Sequence, residues 1–118
     1  RPAWPQRLRI KRAERLLEVD FDDGTQVSLS AELLRVESPS AEVQGHTPSQ
    51  KVAVANKAKV GIVRVEPVGN YAIRIVFDDG HSTGIYSWAY LLKLHRERES
   101  LWAAYLAALA AQGLSRSG

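Results

Sequence analysis

Residues 65–92, VEPVGNYAIRIVFDDGHSTGIYSWAYLL, decide the fold. Tyr71, Ile73, Ile75 and Phe77 alternate with Ala72, Arg74 and Val76, the period-2 pattern of a half-buried strand. Asp78-Asp79-Gly80 then reads as a hairpin: aspartate suits the first turn positions, and glycine accepts the left-handed backbone that closes a type I turn with a bulge. Residues 82–86 return as the partner strand. Ser87 caps a helix on which Trp88, Leu91, Leu92 and His95 recur at helical spacing.

A shorter copy, LLEVDFDDGTQVSLSAELL, occupies residues 16–34. Phe21 maps onto Phe77 at an offset of 56 and the capping Ser30 onto Ser87 at 57, one extra residue in the second hairpin making the difference. Two copies are too few for a solenoid. They predict an α+β fold: a single two-layer domain, a mostly antiparallel sheet with helices packed on one face, built from two strand–FDDG turn–strand–helix units.

The remaining chain frames these units. Residues 1–6 hold two prolines and read as a flexible lead-in. A domain over 7–95 follows, opened by the strand-like RLRIK of residues 7–11. Within it, residues 37–59 form a connection long enough to be functional or mobile, in which Val52 and Val54 would make a short strand. Residues 93–99, KLHRERE, read as a charged joint. A C-terminal helix over 96–113 carries Leu101, Trp102, Tyr105, Leu106 and Leu109, and Gly113 would end it. Residues 114–118 read as a frayed tail.

Composition is ordinary for a globular domain: 118 residues, 45% hydrophobic, 25% charged, net charge +3. The absence of cysteine excludes disulfides, thiolate metal sites and cysteine nucleophiles. Neither a membrane-spanning run nor a signal-peptide pattern occurs, so cytoplasm is the default compartment. Methionine is absent even at position 1, which fits a fragment or a processed form.

The order ELLRVESPSAEVQGH (residues 32–46), then GIVRVEPVGNYAIRIVFDDGHSTGIYSWAYL (residues 61–91), resembles the gamma-butyrobetaine hydroxylase N-terminal-like domain in its small bacterial stand-alone form. The similarity runs from about Leu8 to Leu94. It implies an α+β domain with no chemistry of its own. In the hydroxylases a separate oxygenase domain carries the iron, and no iron-binding facial triad is legible here. Related domains attached to ATPases that handle iron–sulfur clusters imply a role beside that machinery. The family's zinc is held by three cysteines and a histidine, and the resemblance places these at Ser38, Ser40, Val43 and His81. Serine hydroxyls do not replace thiolates on zinc and valine offers no ligand. No metal and no cofactor is therefore expected.

Several residues carry a functional and a bland reading side by side. His81, with His46 from the long loop, could handle a metal or a proton; the preferred reading is an imidazole that locks the hairpin to the loop. The aspartate pairs Asp22-Asp23 and Asp78-Asp79 serve turn chemistry better than a hard cation, which needs more oxygens. Tyr71, Tyr86 and Trp88 could line a cleft but suit a core better, and Asn70 suits a turn. Arg7, Arg9, Lys11, Arg12 and Arg15 form a basic stripe diluted by Glu14, Glu18 and Asp20, so nucleic acid is a minority reading. The stripe Leu101, Trp102, Tyr105, Leu106, Leu109 either packs on the sheet or leaves a face for a homodimer or partner.

The leading expectation is a non-catalytic adaptor for a protein partner, with iron–sulfur assembly machinery as the implied class. Its recognition surface would comprise Ser38, Ser40, Glu42, His46, Asn70, Tyr71, His81, Tyr86 and Trp88. The alternatives are an enzyme or ligand binder with a cleft near Tyr71, His81 and Tyr86, and nucleic-acid binding through residues 7–15.

Overall fold

The computed structural model describes residues 3–45, 47 and 50–117. Ten elements follow in order: β1 Pro5–Lys11, β2 Leu16–Phe21, β3 Gln26–Ser30, α1 Ala31–Val36, α2 Ala41–Gln44, β4 Ile62–Val68, β5 Ala72–Phe77, β6 Ile85–Ser87, α3 Trp88–Arg96 and α4 Arg98–Ala111. This is the expected α+β domain. The six strands divide into two antiparallel sheets, β1-β2-β3 and β4-β5-β6.

Local chemistry explains both hairpins. Gly24 and Gly80 take φ of 90° and 91°, and each donates its N–H to the phenylalanine that begins the turn, at 3.1 and 3.2 Å. The second aspartate of each turn accepts the N–H two residues on, Asp23 from Thr25 at 2.9 Å and Asp79 from His81 at 3.0 Å. Both helices after the hairpins are capped as expected: Ser30 Oγ accepts from Leu33 N and Ser87 Oγ from Tyr90 N, each at 3.1 Å.

The duplication reaches further than the sequence suggested, because the first strand of each sheet belongs to it. Asp22 Oδ1 accepts the Trp4 N–H at 3.0 Å while the Asp22 N–H donates to the Trp4 carbonyl at 2.8 Å. Asp78 does the same with Gly61, both bonds at 3.0 Å. A register shift then follows in each strand, between Pro5 and Arg7 and between Ile62 and Arg64. Strand β1 thus starts two residues before the expected Arg7, held there by Asp22.

One core serves both units. Leu17, Val19 and Phe21 of β2 and Ile73, Ile75 and Phe77 of β5 are all buried, as are the equivalent helix residues Leu34 and Leu91. Helix α3 packs on β3 and β6, so the second unit's helix rests partly on the first unit's sheet.

The C-terminal region differs from expectation. Only Glu97 separates α3 from α4, so the charged KLHRERE run is almost wholly helical; its lysine, arginine and glutamate residues are good helix formers and it holds no glycine or proline. Gly113, at φ 67°, ends α4: its N–H donates to Ala110 O, and that of Leu114 to Leu109 O. The tail is docked rather than frayed. Asn56 N–H donates to Ser115 O and Ala58 N–H to Arg116 O. Arg116 reaches the buried Glu32 carboxylate with two bonds of 2.8 Å and lies 5.1 Å from the Trp102 ring centre. Val52 and Val54 form no strand, although Val52 N–H donates to Val43 O at 2.7 Å. Among the described residues no helix is long and apolar enough to cross a membrane.

Arg116→Ala would leave Glu32 buried with only part of its hydrogen bonding. We expect a loss of about 2 kcal/mol in urea unfolding, since a buried charge stripped of its partner is costly while the exposed half of the Arg116 side chain moderates the effect. An unchanged midpoint would show that the tail bears no load.

Candidate functional site

The connection after α1 folds back onto the second hairpin. Ser38 and Ser40 flank Pro39 at the start of α2, a four-residue helix, and both are buried. Ser40 stands where a serine would normally cap the helix, yet its side chain makes no cap bond. Its hydroxyl lies 3.4 Å from Ser38 Oγ and 3.4 Å from His81 Nε2. Ser38 Oγ is closer to the same nitrogen, at 2.9 Å. On the other side of the ring, Nδ1 lies 3.3 Å from Glu42 Oε2. A neutral imidazole with Nδ1–H donating to Glu42 and Nε2 accepting from Ser38 satisfies both contacts.

Further bonds hold this cluster. Gln44 Nε2 donates to the Ser38 carbonyl at 2.9 Å, and Thr83 Oγ1 to Glu42 Oε1 at 3.1 Å. Gly84 passes so close that a Cβ there would come within 2.4 Å of Ser38 Oγ. Asp79, which supports the hairpin through the His81 N–H, also takes Arg35 Nε and Lys57 Nζ on its other oxygen, each at 2.7 Å. One turn carboxylate therefore ties together hairpin, α1 and the approach to β4.

Burial holds the His81 imidazole below its usual pKa, assisted by the Arg35 charge and opposed by Glu42 and Asp79. Partial burial pushes Asp79 upward, but hydrogen bonds from Lys57, the His81 N–H and Arg35 outweigh it and bring the carboxyl down from 3.8 to about 2. Tyr86 is fully buried and donates to the Leu34 carbonyl at 2.5 Å; burial raises its phenol well above the usual range. Tyr90 donates to the Glu37 carbonyl at 2.6 Å and is pushed up to about 12, chiefly by burial and then by Glu37.

The expected surface is thus only partly assembled. Ser38, Ser40, Glu42 and His81 come together; His46 lies outside the described residues. Asn70, Tyr71 and Trp88 form a separate group at the β4–β5 turn, where Trp88 Nε1 donates to the Asn70 carbonyl at 3.0 Å and Tyr71 is 56% exposed. The whole of β5, about 20 Å of strand, lies between Tyr71 and His81. Since Tyr86 is in the core, a cleft joining Tyr71, His81 and Tyr86 does not form. Three residues of the basic stripe are engaged: Arg9 pairs with Glu18 and Asp20, Lys11 with Glu18, and Arg12 donates to the Val63 carbonyl. On α4, Tyr105 and Leu109 are buried and Leu101 and Trp102 pack against the core, so of the expected partner face Leu106 alone stays exposed.

Three of the four positions that the resemblance assigns to zinc ligands belong to this cluster, and together the four offer one imidazole, two hydroxyls and a buried valine. Such a donor set does not fit zinc. Among the described residues no three His, Asp or Glu side chains are placed to hold a metal ion. Serine, histidine and carboxylate do stand in the order of a nucleophilic triad. Ser38 is nevertheless completely buried and shares its imidazole with Ser40. These contacts hold the loop of residues 38–44 against the second hairpin.

Comparison with known proteins identifies the relatives of this architecture. The model of the family "gamma-butyrobetaine hydroxylase-like, N-terminal" matches residues 8–92. The chain belongs to that family. Two NMR solution structures are 44% and 50% identical to it, with TM-scores of 0.82 and 0.84; each alignment covers 98% of this chain, and 90% and 86% of the other. A crystal structure of a DUF971-family protein of unknown function from Acidithiobacillus ferrooxidans is 41% identical, with a TM-score of 0.65 over 77% of this chain and 91% of that one. Among curated proteins nothing matches significantly.

The depressed His81 has a definite consequence. The unfolded imidazole titrates near 6.5 and the folded one lower, so the unfolded state takes up the proton first. Stability from this group is complete above pH 6.5 and falls as pH drops below it; the Asp79 contribution is lost only from 3.8 down towards 2. His95, lowered by burial and Arg98, shares the first window. In a His95→Gln background, the melting temperature should fall between about pH 7 and 5, and His81→Gln should flatten that slope while lowering neutral-pH stability by about 1–3 kcal/mol. Equal slopes in the two proteins would refute the assignment.

Proposed function

We propose that this chain is a non-catalytic binding domain that presents the loop of residues 38–45 and the second hairpin to a protein partner. One observation carries this reading: His81, with only 3% of its side chain exposed, has both ring nitrogens engaged by the loop. Asp79 is similarly occupied by Arg35, Lys57 and the hairpin itself. Groups capable of chemistry are thus committed to fixing the loop, and a fixed loop loses little conformational entropy when a partner docks. What it offers outward is the Glu42 carboxylate, 64% exposed, beside the exposed Thr83.

The partner class comes from the resemblance, which points to proteins that handle iron or iron–sulfur clusters. The test is affinity capture from the source cell with wild type, Glu42→Lys and His81→Ala, followed by direct binding to the purified candidate. Iron–sulfur assembly proteins retained by wild type and reduced at least tenfold by Glu42→Lys are expected, a rim charge reversal of the size that blocks docking. Identical captures from all three proteins, or substrate turnover by the isolated chain, would overturn the proposal.

A further inference from the structure

On the α4 side of the molecule a cleft of about 260 Å³ opens between that helix and the irregular segment at residues 51–54. It shares no residue with the Ser38–His81 cluster. Val36, Val52, Val54, Ala104 and Ala108 supply apolar wall, and the two alanines leave room where larger side chains would fill it. Tyr105 also lines the space, but its hydroxyl is already placed against Glu32 Oε2 at 3.2 Å and the Val54 carbonyl at 3.3 Å.

The polar groups of the cleft determine what it can hold. Lys51 Nζ reaches both oxygens of the buried Glu37 carboxylate, at 2.6 and 2.8 Å, so the pair contributes no net charge. A charged ligand entering here would give up its hydration without an uncompensated opposite charge to meet. A neutral one escapes that cost. Two of the three ammonium hydrogens point to Glu37, and the Gln112 carboxamide also lines the cleft, so a carbonyl or hydroxyl oxygen has donors to face. The volume is less than twice that of an apolar protein cavity of about 150 Å³ that takes up benzene, which sets the size at about nine to twelve non-hydrogen atoms.

We infer that this cleft is a binding site for a small neutral amphiphile: a single ring or short branched alkyl body against the Val and Ala wall, with an amide, ketone or hydroxyl oxygen towards Lys51 and Gln112. Molecules of this size reach Kd values of about 1 mM or somewhat below.

Benzamide is a suitable probe, with benzoate and benzylamine as charged counterparts of the same size. Each is titrated into the isotope-labelled full chain while backbone amide shifts are followed. Benzamide should move the amides at 52–54 and 104–108 saturably, and the two ions should bind at least about fivefold more weakly. Ala108→Leu should abolish the response by filling the wall while leaving the remaining spectrum in place, and Ala104→Leu serves if that variant does not fold. No saturable shift by about 10 mM benzamide, equal binding of all three probes, or undiminished binding to a folded cleft-filling variant would overturn the inference.

Discussion

Each sheet is closed by an aspartate, just past the end of its middle strand, that grips the backbone where the neighbouring first strand begins. Asp22 holds Trp4 and Asp78 holds Gly61, each through its side chain and its own N–H together. The grip fixes where the first strand begins, and the bulge that follows sets which of its residues face inward. Everything downstream inherits that register. The inward faces of β2 and β5 both contribute to the one core.

The two units are equivalent in construction and unequal in use. In the first turn, Asp23 supports Thr25. Its counterpart Asp79 is recruited by Arg35 and Lys57, residues brought in by α1 and the long connection. The residue after the glycine diverges too: Thr25 is half-buried and bonds within its own turn, whereas His81 turns inward to meet Ser38 and Ser40. The candidate site lies where the internal symmetry is broken, on the copy that received the additional loop.

How much of this could be read beforehand depended on range. Turns, caps and strand alternation were legible because aspartate, glycine and serine act on backbone within a few residues of themselves. The meeting of Ser38 and Ser40 with His81 was legible only through family resemblance, since no local pattern couples positions 43 and 41 residues apart. The membership of β1 and β4 in the repeat is not legible in the sequence because WPQR and GIVR share almost nothing; the backbone makes the contact. Arg35 with Asp79, and Arg116 with Glu32, escaped for the same reason of distance along the chain. The α4 stripe is legible as apolar, but amphipathicity alone does not say whether the covering surface is the chain's own core.

The shared core also bears on how such a chain could arise. Leu34 and Leu91, equivalent residues, are both completely buried, and α3 lies across the sheet of the other unit. A lone three-strand unit of this kind would leave its apolar side open to water. The simplest cover would have been an identical molecule, placed about a two-fold axis. Duplication followed by fusion would then have turned an intermolecular contact into the interior of one polypeptide, freeing one half to diverge while the other kept the frame.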